Sequence, residues 1–145
     1  MSLTLTVDGD RWRGHLRAFT ESTPGLVPVA KGNGYGFSVG RLARKTGWLG
    51  LDTLAVGTYD ELPEVASRYD GSLLVLTPWR PFGAALEVDP ALAKRVVHTV
   101  SRTEDVADLL GRQPGARFVL ERATSMLRHG MTARGLWAAA REVAA

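Results

Sequence analysis

The chain has 145 residues, 45% apolar and 23% charged, values of one folded domain that exclude a disordered tail or a collagen-like fibre. It has no cysteine, which excludes a disulfide-stapled scaffold, a thiolate metal site and a cysteine nucleophile. The formal net charge of +3 is spread along the chain, so it does not by itself point to nucleic acid.

In chain order, a short strand is predicted at Leu3–Val7. Trp12, Leu16 and Phe19 then form an amphipathic helical stripe. Five short apolar, β-branched runs follow: Val27–Lys31, Leu54–Gly57, Leu73–Thr77, Arg95–Val100 and Arg117–Glu121. They recur at roughly 20–27 residues, room for a strand, a turn, a helix and a return loop. Ser38 is placed to cap a helix whose inner face carries Val39, Leu42 and Ala43. Thr58-x-x-Glu61 and Ser101-x-x-Glu104 both have capping-box form just after a strand. Thr132 is placed to cap a last helix carrying Leu136, Trp137 and Ala140.

Alternating strands and helices predict the α/β class with a parallel sheet. Two architectures fit: a doubly wound open sheet, or part of a (β/α)8 TIM-type barrel of which about five β/α units are present. No run approaches the roughly 18 apolar residues of a membrane span. Charge at Asp8, Asp10 and Arg11 interrupts Met1–Arg13 before any leader core. The expectation is a cytoplasmic protein with neither membrane nor nucleic acid as partner.

The segment Val27-Pro-Val-Ala-Lys31-Gly-Asn33-Gly-Tyr35-Gly36 is the most informative. A buried strand is expected to end in Lys31, and in parallel α/β folds ligands bind beyond the carboxyl ends of strands. The glycine-rich turn lets backbone approach a ligand closely and leads into a helix N-terminus, which suits an anion such as phosphate. The pattern matches neither the dinucleotide fingerprint nor a P-loop. Read from the residues alone, Lys31 is either a catalytic group or a solvated strand end. Trp79, between Pro78 and Pro81, either lines the mouth of a site or is a loop hydrophobe. His15, His98 and His129 show no ligand spacing and are assigned to structure rather than to a metal.

Val-Ala-Lys31-Gly-Asn33-Gly-Tyr35-Gly36 resembles the pyridoxal-phosphate lysine motif of the alanine racemase family. Leu54-Ala-Val-Gly-Thr-Tyr-Asp-Glu-Leu62 and Leu73-Leu-Val-Leu-Thr77 are similar to the family's second and third strand segments. Thr124-Ser-Met126-Leu-Arg128-His-Gly130 resembles its Thr-Gly-Met-Gly-Arg-Leu-Gly run after the fifth strand. The four matches occur in order and span nearly all of this chain, but only the first, smaller part of the family's length. Gly32 and Gly34 replace alanines, Phe37 stands where the family often has His, and Ser125 and Leu127 replace glycines.

The resemblance implies a pyridoxal-phosphate-binding barrel of which residues 1–145 are the first part. Lys31 is then the lysine that condenses with the cofactor aldehyde and acts as a base at the substrate Cα. Tyr35 is the tyrosine hydrogen-bonded to the cofactor phosphate. Arg128 contacts the cofactor's phenolic oxygen and the substrate carboxylate. Glu121 stands where many family members carry a carboxylated lysine, and is expected to hold Arg128 by a charge-assisted hydrogen bond or to be an ordinary strand-end residue. The implied reaction is racemisation of a small amino acid, alanine foremost, supplying D-alanine for the cell wall. A second base would come from a tyrosine on a C-terminal β-domain of the partner in a homodimer. Five strands without closure leave edges uncovered, so these 145 residues are expected to be poorly active alone. Two other functions fit: a non-catalytic pyridoxal-phosphate-binding barrel serving cofactor homeostasis, and a non-enzymatic α/β interaction domain.

Overall fold

Parallel β/α alternation is what the chain adopts in a computed structural model, which describes residues 3–144. Helix α1 spans Gly9–Ser22, α2 Val39–Trp48, α3 Leu62–Ala66, α4 Pro90–Ala93, α5 Thr103–Arg112 and α6 Ala133–Ala144. Strands β1 Thr53–Val56, β2 Ser72–Pro78, β3 Val96–Val100 and β4 Arg117–Leu120 form one sheet in the order β1-β2-β3-β4. Every pairing is parallel.

The first expected strand, Val27–Lys31, is reduced to a parallel bridge between Val29 and Ala55. Ala30 N–H donates to the Ala55 carbonyl, and Ala55 N–H to the Pro28 carbonyl, both at 2.8 Å. Proline has no N–H to extend such a ladder, and this segment lies at the sheet edge. Leu3–Val7 is not a strand; it is exposed and finds no pairing partner among the described residues.

Side-chain alternation sorts the sheet into two faces. Leu73 and Val75 align with Val96 and His98, and His98 and Val100 align with Phe118 and Leu120. This face is buried against the helices, where Leu62, Val65, Val106 and Leu109 join the core. On the other face Leu76 and Val119 are exposed. One buried and one open face is the shape of part of a barrel wall.

Local signals explain most helix boundaries. Asp8 accepts from the N–H groups of Asp10 and Arg11 at 3.1 Å and starts α1. Trp12 stacks on Phe37 with ring centroids 5.4 Å apart. Lys45 lies over the Trp12 and Trp48 rings, tying α1 to α2. Ser38 caps α2, which buries Val39 and Ala43 and half-buries Leu42, as expected. Thr132 accepts from Gly135 N–H at 3.1 Å at the start of α6. That helix turns Leu136 and Ala139 inward, whereas Trp137 and Ala140 are exposed, contrary to the expected stripe.

The expected cap at Ser101 is not used. Arg102 occupies the cap position of α5, and Ser101 Oγ is buried without a hydrogen-bond partner. Arg102 instead reaches across the first turn and pairs bidentately with buried Asp105, at 2.6 and 2.9 Å. Arg80 closes on the same carboxylate at 2.6 Å. Two guanidinium groups thus satisfy one buried acid, and the cap is dispensable.

His98 is buried on the helix-facing side, sharing a 2.9 Å hydrogen bond with the Tyr59 hydroxyl. Burial pushes its pKa down to about 4, opposed by a hydrogen bond to Gln113. The imidazole is therefore neutral in the folded state, while the unfolded chain takes up the proton below about 6.5. The associated stability is complete above that pH and lost as pH falls toward 4, on the order of 3 kcal/mol. A Tyr59→Phe, His98→Leu double variant is expected to melt with a visibly shallower dependence between pH 6.5 and 4. Equal slopes for the variant and the wild type would rule out His98 as the titrating group.

Candidate active site

Lys31 follows the bridged edge segment, so it sits at the carboxyl end of the sheet, as parallel topology demands of a ligand-facing residue. Its carbonyl accepts from Gly34 N–H at 3.0 Å, closing the turn that follows. Asn33 Oδ1 accepts from Gly36 N–H at 3.2 Å and shapes the next turn. Lys31 itself is exposed.

Arg128 arrives from a different part of the chain. It sits in the loop between β4 and α6, pinned at its foot by a bridge between Arg122 and Met131. Met131 N–H donates to the Glu121 carbonyl and Ala123 N–H to the Met131 carbonyl, both at 2.8 Å. Gly130 has φ +107°, and a Cβ there would fall 2.4 Å from Ala123 N, so only glycine fits. Leu127 adopts φ +49°, the left-handed conformation glycine usually takes, which costs about 1 kcal/mol.

Lys31 and Arg128 line one cavity of about 270 Å³ at the carboxyl ends of β1 and β2. Gly57, Thr58, Thr77 and His129 complete most of its wall. The wall carries two cations, an imidazole and two hydroxyls, and no carboxylate. Gly57 makes room for the lysine: a Cβ there would sit 3.0 Å from Lys31 Cβ. A second cavity of about 390 Å³ adjoins it, sharing Thr58, Thr77, Pro78 and His129 and reaching Phe82.

The other two expected residues lie elsewhere. Tyr35 is 58% exposed at φ +55° and does not line the Lys31 cavity. Glu121 makes no ion pair with Arg128 among the described residues, and its Oε2 is buried without a hydrogen-bond partner. The reason is position: Glu121 stands at the foot of the loop, bonded through its main chain to Val100 and Met131, while Arg128 reaches the cavity further out. Trp79 lines no mouth either; it is fully buried in the core, its main-chain N–H donating to the Thr99 carbonyl at 2.7 Å.

Three contributors were not singled out from sequence. His129 shows no ligand spacing in the sequence, yet it lines both cavities. Sequence pattern places Gly57 and Glu61 only in a strand end and a capping box. Glu61 does close that box with Thr58, but it also reaches Gly32, 29 residues away.

The sequence pattern described as "Alanine racemase, N-terminal domain" matches residues 7–145. The chain belongs to the alanine racemase N-terminal domain family. Among curated proteins, none matches it in sequence. Alanine racemase structures share its fold. That from E. faecalis is 23% identical with a TM-score of 0.75, over 91% of this chain and 37% of that one. The Bartonella henselae alanine racemase with covalently bound pyridoxal phosphate is 14% identical with a TM-score of 0.70, over 90% and 38%. The histidine racemase of Leuconostoc mesenteroides subsp. sake is 18% identical with a TM-score of 0.70, over 92% and 36%. The chain therefore spans little more than a third of these racemases' length, and its sheet is part of a TIM-type barrel.

Proposed function

We propose that residues 1–145 are the first, cofactor-binding part of a racemase barrel, using pyridoxal phosphate to interconvert the enantiomers of a small amino acid such as alanine. The observation that carries this reading is the shared cavity: Lys31 and Arg128, brought from distant parts of the chain, line a carboxylate-free wall. The fit to the cofactor is chemical. A lysine amine meets an aldehyde, a guanidinium meets an anionic oxygen, and Gly57 leaves space beside the lysine. A structural relative carries this cofactor covalently.

The chemistry that pyridoxal phosphate supplies when bound is delocalisation of negative charge from the substrate Cα. Lys31 Nζ would hold the cofactor and would take or return the proton at the substrate Cα. Arg128 binds and orients the substrate carboxylate and the phenolic oxygen. Tyr35, in the turn after Lys31, offers its hydroxyl to the phosphate in this reading. Glu121 supports the Arg128 loop from its foot. Cytoplasmic location, a homodimeric parent and a role in D-alanine supply belong to the same proposal.

An Arg128→Met variant tests it. Pyridoxal phosphate affinity, read from the change in visible absorbance, is expected to fall about 10- to 100-fold, the scale of a lost charged hydrogen bond. Unchanged affinity would remove Arg128 from the site.

A further inference from the structure

We propose that Glu61 is the positioning residue for Lys31. The inference rests on the reading that Lys31 carries the cofactor, and it assigns a second task to a residue whose local pattern explains only a helix cap. Glu61 Oε1 accepts from Gly32 N–H at 2.6 Å, the residue next to Lys31. Oε2 accepts from Gly57 N–H at 2.6 Å and from Thr58 N–H at 3.2 Å. Capping accounts for the Thr58 contact. The Gly32 and Gly57 contacts do something else: one carboxylate joins the lysine turn to the end of β1.

That join matters because the edge segment has little else. A single bridge, with hydrogen bonds at Ala30 and Ala55, holds it to β1. Gly57 and Thr58, which Glu61 also holds, are themselves walls of the Lys31 cavity. The carboxylate thus fixes the lysine main chain and the opposing wall relative to each other. A Cβ at Gly57 would lie 3.2 Å from its Oε2, so glycine leaves the carboxylate room to approach the strand end. An ionised acceptor serving three N–H donors is a strong, directional clamp. Released, the turn from Lys31 to Gly36 is free to carry the amine away from Arg128.

Glu61→Gln tests the clamp at constant shape. The amide keeps one acceptor oxygen and turns an NH2 toward a backbone N–H, so one arm becomes donor against donor. The full chain is incubated with pyridoxal phosphate, reduced with borohydride over a time course and mapped by peptide mass. Amide hydrogen exchange at Gly32 and Gly57 is followed in parallel. The three lysines, Lys31, Lys45 and Lys94, give an internal control. Expected in the variant are about tenfold slower labelling at Lys31, unchanged labelling at Lys45 and Lys94, and faster exchange at Gly32. Glu61→Asp keeps the charge without the reach; it is expected to behave alike and carries the test if the glutamine variant does not fold. Wild-type labelling and exchange rates in a folded variant overturn the clamp. If wild-type protein shows no preference for Lys31, the cofactor reading fails instead, and the Gly32 exchange rate alone decides whether Glu61 holds the turn.

Discussion

Replacing Lys31 by methionine is expected to abolish covalent uptake of pyridoxal phosphate in the cavity while leaving the melting temperature within about 2 °C of wild type. The two halves of this result follow from different observations. Lys31 is exposed and forms no ion pair among the described residues, so its side chain contributes little to the fold. The turn it opens is held by main-chain groups, the Lys31 carbonyl and Gly32 N–H, which methionine retains. Neither of the other two lysines is placed to substitute for it. Lys45 lies over the rings of Trp12 and Trp48 on α2. Lys94 precedes β3, at the opposite end of the strands, where it lines a different cavity with Arg95 and Arg117. Mass spectrometry after borohydride reduction reads the outcome. Undiminished uptake by the methionine variant would show that the cavity lysine is not the acceptor.

Gly130→Ala is expected to have the largest effect on stability and to reach the site as well. Its φ of +107° disfavours any L side chain, and the added Cβ would meet Arg122 C and Ala123 N at 2.4 Å. Both are backbone atoms that cannot swing aside. The loop must open at its foot, breaking the 2.8 Å bonds that Met131 makes with Glu121 and Ala123. Met131, only 5% exposed, then loses its place in the core. A cost of about 2–4 kcal/mol is expected from strain and lost packing together. Arg128 lies two residues away, so pyridoxal phosphate affinity should fall about tenfold with it. Gly14→Ala is the matched control. That glycine is in the middle of α1 with nothing within 4 Å of an added Cβ. It should stabilise the protein by about 0.5–1 kcal/mol. Denaturant titration of both variants decides the matter, and a Gly130→Ala protein as stable as wild type would refute the loop geometry.

The sheet was legible because parallel, helix-covered strands are written as short runs of branched apolar residues. Leu73–Thr77 and Arg117–Glu121 fall on β2 and β4 to within a residue at each end. Val27–Lys31 shows the same composition but lacks the ladder, since Pro28 cannot donate and only β1 is beside it. Leu3–Val7 is not a strand, and among the described residues nothing pairs with it. Ser101 shows a different failure. Local spacing fits a cap, but a buried acid, Asp105, recruits Arg102 from the cap position, and that is a tertiary event.

The site was legible only in pieces. Lys31 stands out as the cation ending a strand before a glycine-rich turn. Nothing in spacing brings Arg128 to it across 96 intervening positions; the family resemblance suggests both, and the shared cavity gives them a common wall. Glu61 was visible as a capping residue because that pattern is four residues long. Its reach to Gly32 is not local, and no short-range rule could show it. His129 carried no signal at all, since its significance lies in which cavities the loop overhangs.

The most direct measurement is the site of covalent capture on the unaltered 145-residue chain. Protein mixed with pyridoxal phosphate and reduced by borohydride should yield a pyridoxyl group on the peptide containing Lys31, in clear excess over those containing Lys45 and Lys94. A label shared evenly among the three lysines, or missing from Lys31, would contradict the account.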